Sequence, residues 1–345
     1  MKKITILIAF TIGTLFSNAT IINVDNNPNR PSGYFADLQL AINASTAGDT
    51  IYLYPSNSSY GNITISKQLH VFGKGYSGSS SGFNSRIEHL YLDTATSPAS
   101  NPSGSSFQGL TISYLTCSKP NITNILLIGN YLANVTQCLN LNNNCSGWLI
   151  ANNYFSGYIT IDNNASIVIN NNIFGGYYGY PINQSSSSSV IFSHNLVMYF
   201  QYFNTVTNAI VTDNIFVCSG ATNTSYMYNN VFYNNISWRS TLNPYVMPPE
   251  ANTGSGNISN QDPQFQTAPS SDSFDQAKDY HLKSTSPGKN AATDGTDIGP
   301  YGGSNPFVWG GQFSIPKIAQ SNITNPVINQ STPINVNVKA TKAAY

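Results

Sequence analysis

The sequence predicts an all-β chain, a single-stranded parallel β-helix with a short N-terminal cap helix and a C-terminal tail. Three observations carry this. First, one asparagine followed by two apolar residues recurs at Asn130, Asn153, Asn172, Asn195, Asn214 and Asn230, at intervals of 16 to 23 residues. A drifting period near twenty marks a solenoid. Second, the columns around that asparagine are coherent. Leu132, Phe155, Phe174, Val197, Phe216 and Phe232 stand two places after it, and Leu127, Ile150, Ile169, Phe192, Val211 and Met227 three before it. Third, the segments feeding it, such as Ile167-Val168-Ile169 and Val190-Ile191-Phe192, are short and rich in β-branched or aromatic residues. They read as strands, with equivalent residues of successive coils stacked roughly 4.8 Å apart.

The asparagine itself needs a reason, because it suits neither helix nor strand interiors. A corner between strands favours a residue that tolerates left-handed backbone. Its amide also donates and accepts, so it can bond to copies above and below. The six asparagines are therefore expected to form a structural ladder rather than to line a ligand groove.

The remaining elements follow along the chain. Residues 1–19 read as a secretory signal: Lys2 and Lys3, an apolar run from Ile4 to Phe16, then Ser17-Asn18-Ala19 before the cleavage point. That run is short for a membrane span, and no second span follows. The expected mature protein is soluble and exported, to the cell surface or exterior or to a periplasm. Phe35, Leu38 and Ile42 form a helical stripe that predicts a cap helix, which a solenoid needs over its open strand edge. Asp49–Tyr54 and Leu69–Gly73 read as the first coil strands. Residues 77–106 are rich in Ser, Gly, Asn and Pro and are expected to contain long loops. In residues 304–345, Asn335-Val336-Asn337-Val338 alternates like a strand, so this part reads as a tail or a small strand module.

Two stretches carry a resemblance. Leu38 to Gly73 holds Ala-Ile-Asn-Ala, Ala-Gly-Asp-Thr-Ile-Tyr and Val-Phe-Gly-Lys-Gly. It looks like the first coil of secreted bacterial pectate-lyase-like right-handed β-helix proteins. Gln261-Asp262-Pro263-Gln264-Phe265, Asp279-Tyr280-His281-Leu282-Lys283, Ser286-Pro287-Gly288 and Thr296-Asp297-Ile298-Gly299-Pro300-Tyr301 resemble the closing segment of the same superfamily. The resemblance covers residues 20–303. It implies a right-handed helix and leaves activity open among lyases, hydrolases, epimerases, adhesins and tail proteins.

Charge narrows the choice. Only 8% of residues are charged and the net charge is zero, with 14 Lys and Arg in all, so nucleic acid is not an expected partner. The resemblance implies that lyases would need a base and carboxylate-held calcium, and hydrolases a cluster of Asp. Between Asp93 and Glu250 the chain offers only Lys119, Asp162, Asp213 and Arg239. His194 and Asp213 precede the repeat asparagine in adjacent coils and are the one candidate base and orienting carboxylate; the preferred reading is structural, as corner residues bonding along a column otherwise filled by Asn152, Asn171 and Asn229. Asp279, Asp294 and Asp297 read as capping turns. No metal and no cofactor is expected. Cys117 and Cys138 are one coil apart and read either as a bridge or as buried thiols.

The aromatics are the binding candidates: Tyr158, Tyr177, Tyr178, Tyr180, Tyr199 and Tyr202. A coil interior cannot hold them all, and an outward stack of tyrosines suits sugar rings. The expected function is a non-catalytic exported β-helix for surface adhesion, glycan binding or envelope structure. Its expected partner is a polysaccharide or cell-surface glycan. The alternative is a polysaccharide lyase or glycoside hydrolase, which loops joining Lys119, Arg239 or Glu250 would favour. An ice-binding solenoid would need a regular Thr column, which the repeat lacks.

Overall fold

A computed structural model describes residues 19–76, 83–96, 99–176, 179–184, 188–218, 227–238, 246–267 and 273–311, and the backbone of two further strands, Lys317–Ile323 and Val336–Thr341. Residues 1–18 of the expected signal segment, Tyr177, Tyr178 and Arg239 lie outside them.

The chain winds into a parallel β-solenoid. One eleven-stranded sheet contains Ile21–Val24, Thr50–Leu53, His70–Phe72, Ser106–Gln108, Leu126–Ile128, Ser146–Ala151, Ser166–Asn170, Ser189–Ser193, Ile210–Thr212, Val231–Tyr233 and Thr253–Ser255, stacked in chain order. A twelve-stranded second sheet has two wings joined by the long strands Arg86–Leu92 and Thr111–Cys117, with Asn62–Ile65 paired to the second half of Arg86–Leu92. Glu88 with His89, and Ser113 with Tyr114, break the burial alternation of these strands where the wings meet. One wing continues through Tyr131–Leu132, Tyr154–Phe155, Ile173–Phe174, Leu196–Phe200, Ile215–Cys218 and Ile236–Trp238; the other through Gln137–Leu141, Tyr158–Ile161 and Ile182–Gln184.

The interior follows the repeat. Leu132, Phe155, Phe174, Val197 and Phe216 are in register and fully enclosed. The rings of Phe155 and Phe174 stack at 4.7 Å and 9°. Burying each such side chain contributes about 1.5–3 kcal/mol.

The asparagine column runs Asn130, Asn153, Asn172, Asn195, Asn214. Each Nδ2 donates to the next Oδ1 at 3.0 Å, and each backbone N–H donates to that same oxygen. Asn214 then donates to Asn235, not to Asn230, and Asn235 to Asn257. Asn230 belongs instead to a second short column with Asn252. The physical reason is register. Phe232 pairs with Val211 in the first sheet, so Asn230 sits one corner too early, and Ser237 rather than Phe232 pairs with Phe216.

A second correction concerns the corner. The left-handed residue is the one before the column asparagine: Gly129, Asn152, Asn171, His194, Asp213, Asn234 and Gly256 all have φ between 48° and 70°, and Gly109, at 65°, precedes Leu110 at the same corner. One position makes the turn, and the next holds the coils together.

The cap helix forms over Leu38–Ala44. Asp37 accepts from the Leu40 amide at 2.8 Å, and Leu38, Ala41 and Ile42 are buried in the end of the core. Residues 77–106, expected to contain long loops, also carry ordered strands, and residues 77–82 and 97–98 lie outside the described residues. The strands include Arg86–Leu92 and a small antiparallel pair, Ala95–Thr96 with Ala99–Ser100. Near the C-terminus, Lys317–Ile323 pairs antiparallel with Val336–Thr341.

Candidate functional site

The residue immediately after each column asparagine faces out of the coil, yet it is apolar: Tyr131, Tyr154, Ile173, Leu196, Ile215 and Ile236. A strand apolar on both faces must be covered on both. The cover is the closing segment, whose Phe265, Phe274, Tyr280, Leu282, Ile298, Phe307 and Trp309 pack onto this column as a second core. The segment runs back along the solenoid and is held by the left-handed corner residues. Asn234 Nδ2 donates to the Ala291 carbonyl at 3.1 Å, Asn171 Nδ2 to those of Pro300 and Gly302 at 3.0 and 2.8 Å, and Asn152 Nδ2 to that of Asn305 at 3.1 Å.

His194 and Asp213 belong to this clasp. They are stacked neighbours, with Nε2 to Oδ2 at 3.6 Å. Asp213 is 1% exposed and accepts from the Thr293 amide at 2.7 Å, the Thr293 hydroxyl at 2.5 Å and the Thr212 hydroxyl at 3.0 Å. Its own carbonyl accepts from Gly299 at 2.8 Å. His194 lies beneath Gly303, where a Cβ would stand 3.2 Å from the ring, and 3.7 Å from Asp294. His194 and Asp213 therefore stand side by side, but at 3.6 Å they are not hydrogen-bonded, and the closing segment packs over them. Asp294, Asp297 and Asp279 cap turns, accepting from the amides of Thr296, Asn290 and His281.

The tyrosines lie on the other wing. The rings of Tyr158, Tyr180 and Tyr202 follow one another up the coils, with centroids 5.0 and 5.5 Å apart and all three half-buried; Tyr180 stands one residue before Pro181, which is level with Tyr158 and Tyr202, and Tyr202 also packs against the interior. Tyr199 is also half-buried, but it takes a left-handed turn conformation beside the buried Phe200 and is not part of this stack. Gln137 pairs with Tyr158 across a bulge that holds Cys138. Counting through that bulge places Tyr114 one rung below Gln137, and Tyr114 pairs with His89. The column thus spans six rungs from His89 to Tyr202, about 24 Å at one strand spacing per rung.

The charge-bearing end of this strip lies before Asp93. The strand Arg86–Leu92 presents Arg86, Glu88, His89 and Tyr91 together. Arg86 pairs with Glu88 at 2.5 Å, and the Ser113 hydroxyl donates to the other Glu88 oxygen at 3.2 Å. His89 stacks on Tyr91 at 3.8 Å and 18°, and on Tyr114 at 5.3 Å; its Nε2 lies 2.8 Å from the Thr116 hydroxyl. Burial lowers the His89 pKa from its ordinary value, which favours the neutral imidazole. Burial raises the Glu88 pKa, but bonding to Arg86 and the arginine charge outweigh it, and the carboxyl stays below the usual range.

The face is open. A groove of about 210 Å³ lies elsewhere, between Tyr52, Tyr54, Phe72 and Lys74. That volume is below the roughly 300–1,000 Å³ of pockets that enclose small ligands. Half-buried rings in succession instead suit a long ligand lying along the coils.

No family model matches this chain, and no curated protein sequence matches it. Among solved structures it is similar to the pectate lyase Pel9A, at 14% identity over 82% of this chain and 96% of that chain, with a TM-score of 0.48. It is also similar to the pectin methylesterase from Aspergillus niger, at 11% identity over 69% of this chain and 84% of that one, with a TM-score of 0.21. The parallel β-helix is established by this chain's own strand register. No helix among the described residues is long and apolar enough to cross a membrane.

Proposed function

We propose that this is an exported β-helix protein that binds an extended glycan along the tyrosine face and acts in adhesion to, or organisation of, a glycan-bearing surface. The observation that carries the reading is the run of ring contacts through the half-buried Tyr158, Tyr180 and Tyr202. Each ring offers an apolar surface to a sugar and a hydroxyl that can exchange hydrogen bonds with it. Export rests on the basic and apolar pattern of residues 1–19.

A second reading has one observation in its favour. Arg86, Glu88 and a neutral His89 stand at one end of the strip. A neutral imidazole beside a guanidinium could remove a proton from a sugar whose anionic group the arginine holds, which is lyase chemistry. Glu88 would serve a glycoside hydrolase only with a second carboxyl across the bond.

The test is a screen of soluble polysaccharides by affinity electrophoresis, with reducing ends and unsaturated products measured in parallel. Binding without products, weakened on the order of tenfold or more in Tyr158→Ala/Tyr180→Ala, is the expected result. Product formation abolished by His89→Ala replaces it with the enzymatic reading. Binding unchanged by the double substitution removes the tyrosine face from the account.

A further inference from the structure

We propose that Cys117 and Cys145 form a disulfide that ties the end of one coil strand to the corner of the next coil. The sequence spacing points to Cys138 as the partner of Cys117, but the fold separates them. Cys138 sits in the bulge beside Gln137, and its thiol donates to the Asn134 carbonyl at 2.8 Å. Cys145 follows the turn after the strand Gln137–Leu141, and that turn carries its sulfur over the end of the strand Thr111–Cys117. The two sulfurs lie 2.8 Å apart, both buried, in chain positions 28 residues apart. They need to close by only about 0.8 Å to reach the roughly 2.0 Å of a disulfide. Both thiols also approach the Lys119 carbonyl, at 3.4 and 3.8 Å, so one backbone group orients the pair.

The chemistry requires a disulfide donor, such as oxidised glutathione or a protein disulfide of an export compartment. The Cys145 thiolate attacks one donor sulfur, forming a mixed disulfide and expelling one donor thiol. The Cys117 thiolate then attacks the Cys145 sulfur, forming the internal bond and expelling the second donor thiol. Two protein thiols are oxidised, two donor sulfurs are reduced, and the two thiol protons end on the released donor thiols. The hydrogen bond from Cys117 holds the Cys145 thiol below its ordinary pKa, which suits Cys145 to the first attack. Cys138 and Cys218 are buried against backbone carbonyls and remain thiols.

The experiment uses the full chain, both as the native protein and refolded from urea in a glutathione redox buffer. Free thiols are counted under denaturing, non-reducing conditions, and a non-reduced digest is analysed by mass spectrometry. The expected result is two free thiols of the four cysteines and a single linked peptide pair joining Cys117 to Cys145. Four free thiols in the refolded sample, or a linkage through Cys138 or Cys218, overturns the proposal. A second readout is thermal unfolding of Cys117→Ser/Cys145→Ser. Its midpoint should fall roughly 5–10 °C below that of the oxidised protein and match that of the reduced protein. An equal midpoint for oxidised protein and variant counts against a bond formed in the native geometry.

Discussion

Asn172→Ala removes the centre of the asparagine column. The native carboxamide makes five hydrogen bonds while fully buried. Its oxygen accepts from the Asn153 amide and side chain at 2.9 and 3.0 Å, and its nitrogen donates to Ile150 O, Asn170 O and Asn195 Oδ1 at 2.9 to 3.0 Å. Not all of this is lost without compensation. Asn153 Nδ2 keeps the Leu127 carbonyl, and Asn195 Oδ1 keeps the Asn172 backbone N–H. The Asn153 backbone N–H keeps nothing, which costs about 1–3 kcal/mol, and the weakened partners bring the total to about 3–5 kcal/mol. Asn144→Ala is the control: an exposed left-handed turn asparagine with φ 60°, where alanine costs only the roughly 1–2 kcal/mol of backbone strain. Urea unfolding of both variants, with amide exchange at Asn153, separates the two effects. If Asn172→Ala is no more costly than Asn144→Ala and the Asn153 amide stays protected, the column does not pin the coils.

Three further predictions concern the closing segment, the interior and acid. Asp213→Ala leaves the Thr293 amide without its acceptor and should destabilise docking of the closing segment by about 1.5–3 kcal/mol. Limited proteolysis after residue 267 should accelerate in that variant, and an unchanged cleavage rate would contradict the clasp. Phe155→Ala opens a cavity in the stacked interior and should cost about 3–5 kcal/mol by urea unfolding. Burial raises the Asp49 pKa, but bonds from the Thr20 and Thr46 amides and the Thr46 hydroxyl outweigh it and hold it below its ordinary value. A depressed folded pKa means stability that is present above the unfolded value of about 3.9 and is lost as pH falls through the folded one. Asp49→Asn should therefore be less stable than the native protein at pH 7, and the difference should shrink below about pH 4. A difference constant across that range would show that Asp49 does not titrate with folding.

The solenoid is legible in sequence because each coil repeats the same local demand: an inward apolar residue, a left-handed corner and a buried amide. The assignment slips where two asparagine pairs, Asn229-Asn230 and Asn234-Asn235, fall five residues apart. The motif prefers Asn230, since Phe232 follows it, whereas Ser237 follows Asn235. Only the interval to Asn214, 21 residues rather than 16, identifies the continuing corner. The closing segment could not be placed from local pattern, because its packing joins residues more than a hundred positions apart, as Asn171 and Gly302 are. A signal was nevertheless present: the second apolar residue after each asparagine faces inward, so the first must be buried by something outside. The strand Arg86–Leu92 alternates visibly, but the Ser- and Gly-rich residues before it disguised it as loop. With it went Arg86, Glu88 and His89. The tyrosines were recognisable as surplus to the interior, but which of them share a column depends on a bulge at Cys138 that no spacing announces.

The most direct test of glycan binding along the tyrosine face is affinity as a function of ligand length. Oligosaccharides of increasing size, cut from whichever polysaccharide binds in the screen, are titrated by calorimetry. The account predicts that affinity rises with each added sugar and levels off once the ligand spans about 24 Å, the six rungs from His89 to Tyr202. Tyr180→Ala should flatten the rise. Affinity independent of length, or a full rise retained in Tyr180→Ala, would contradict it.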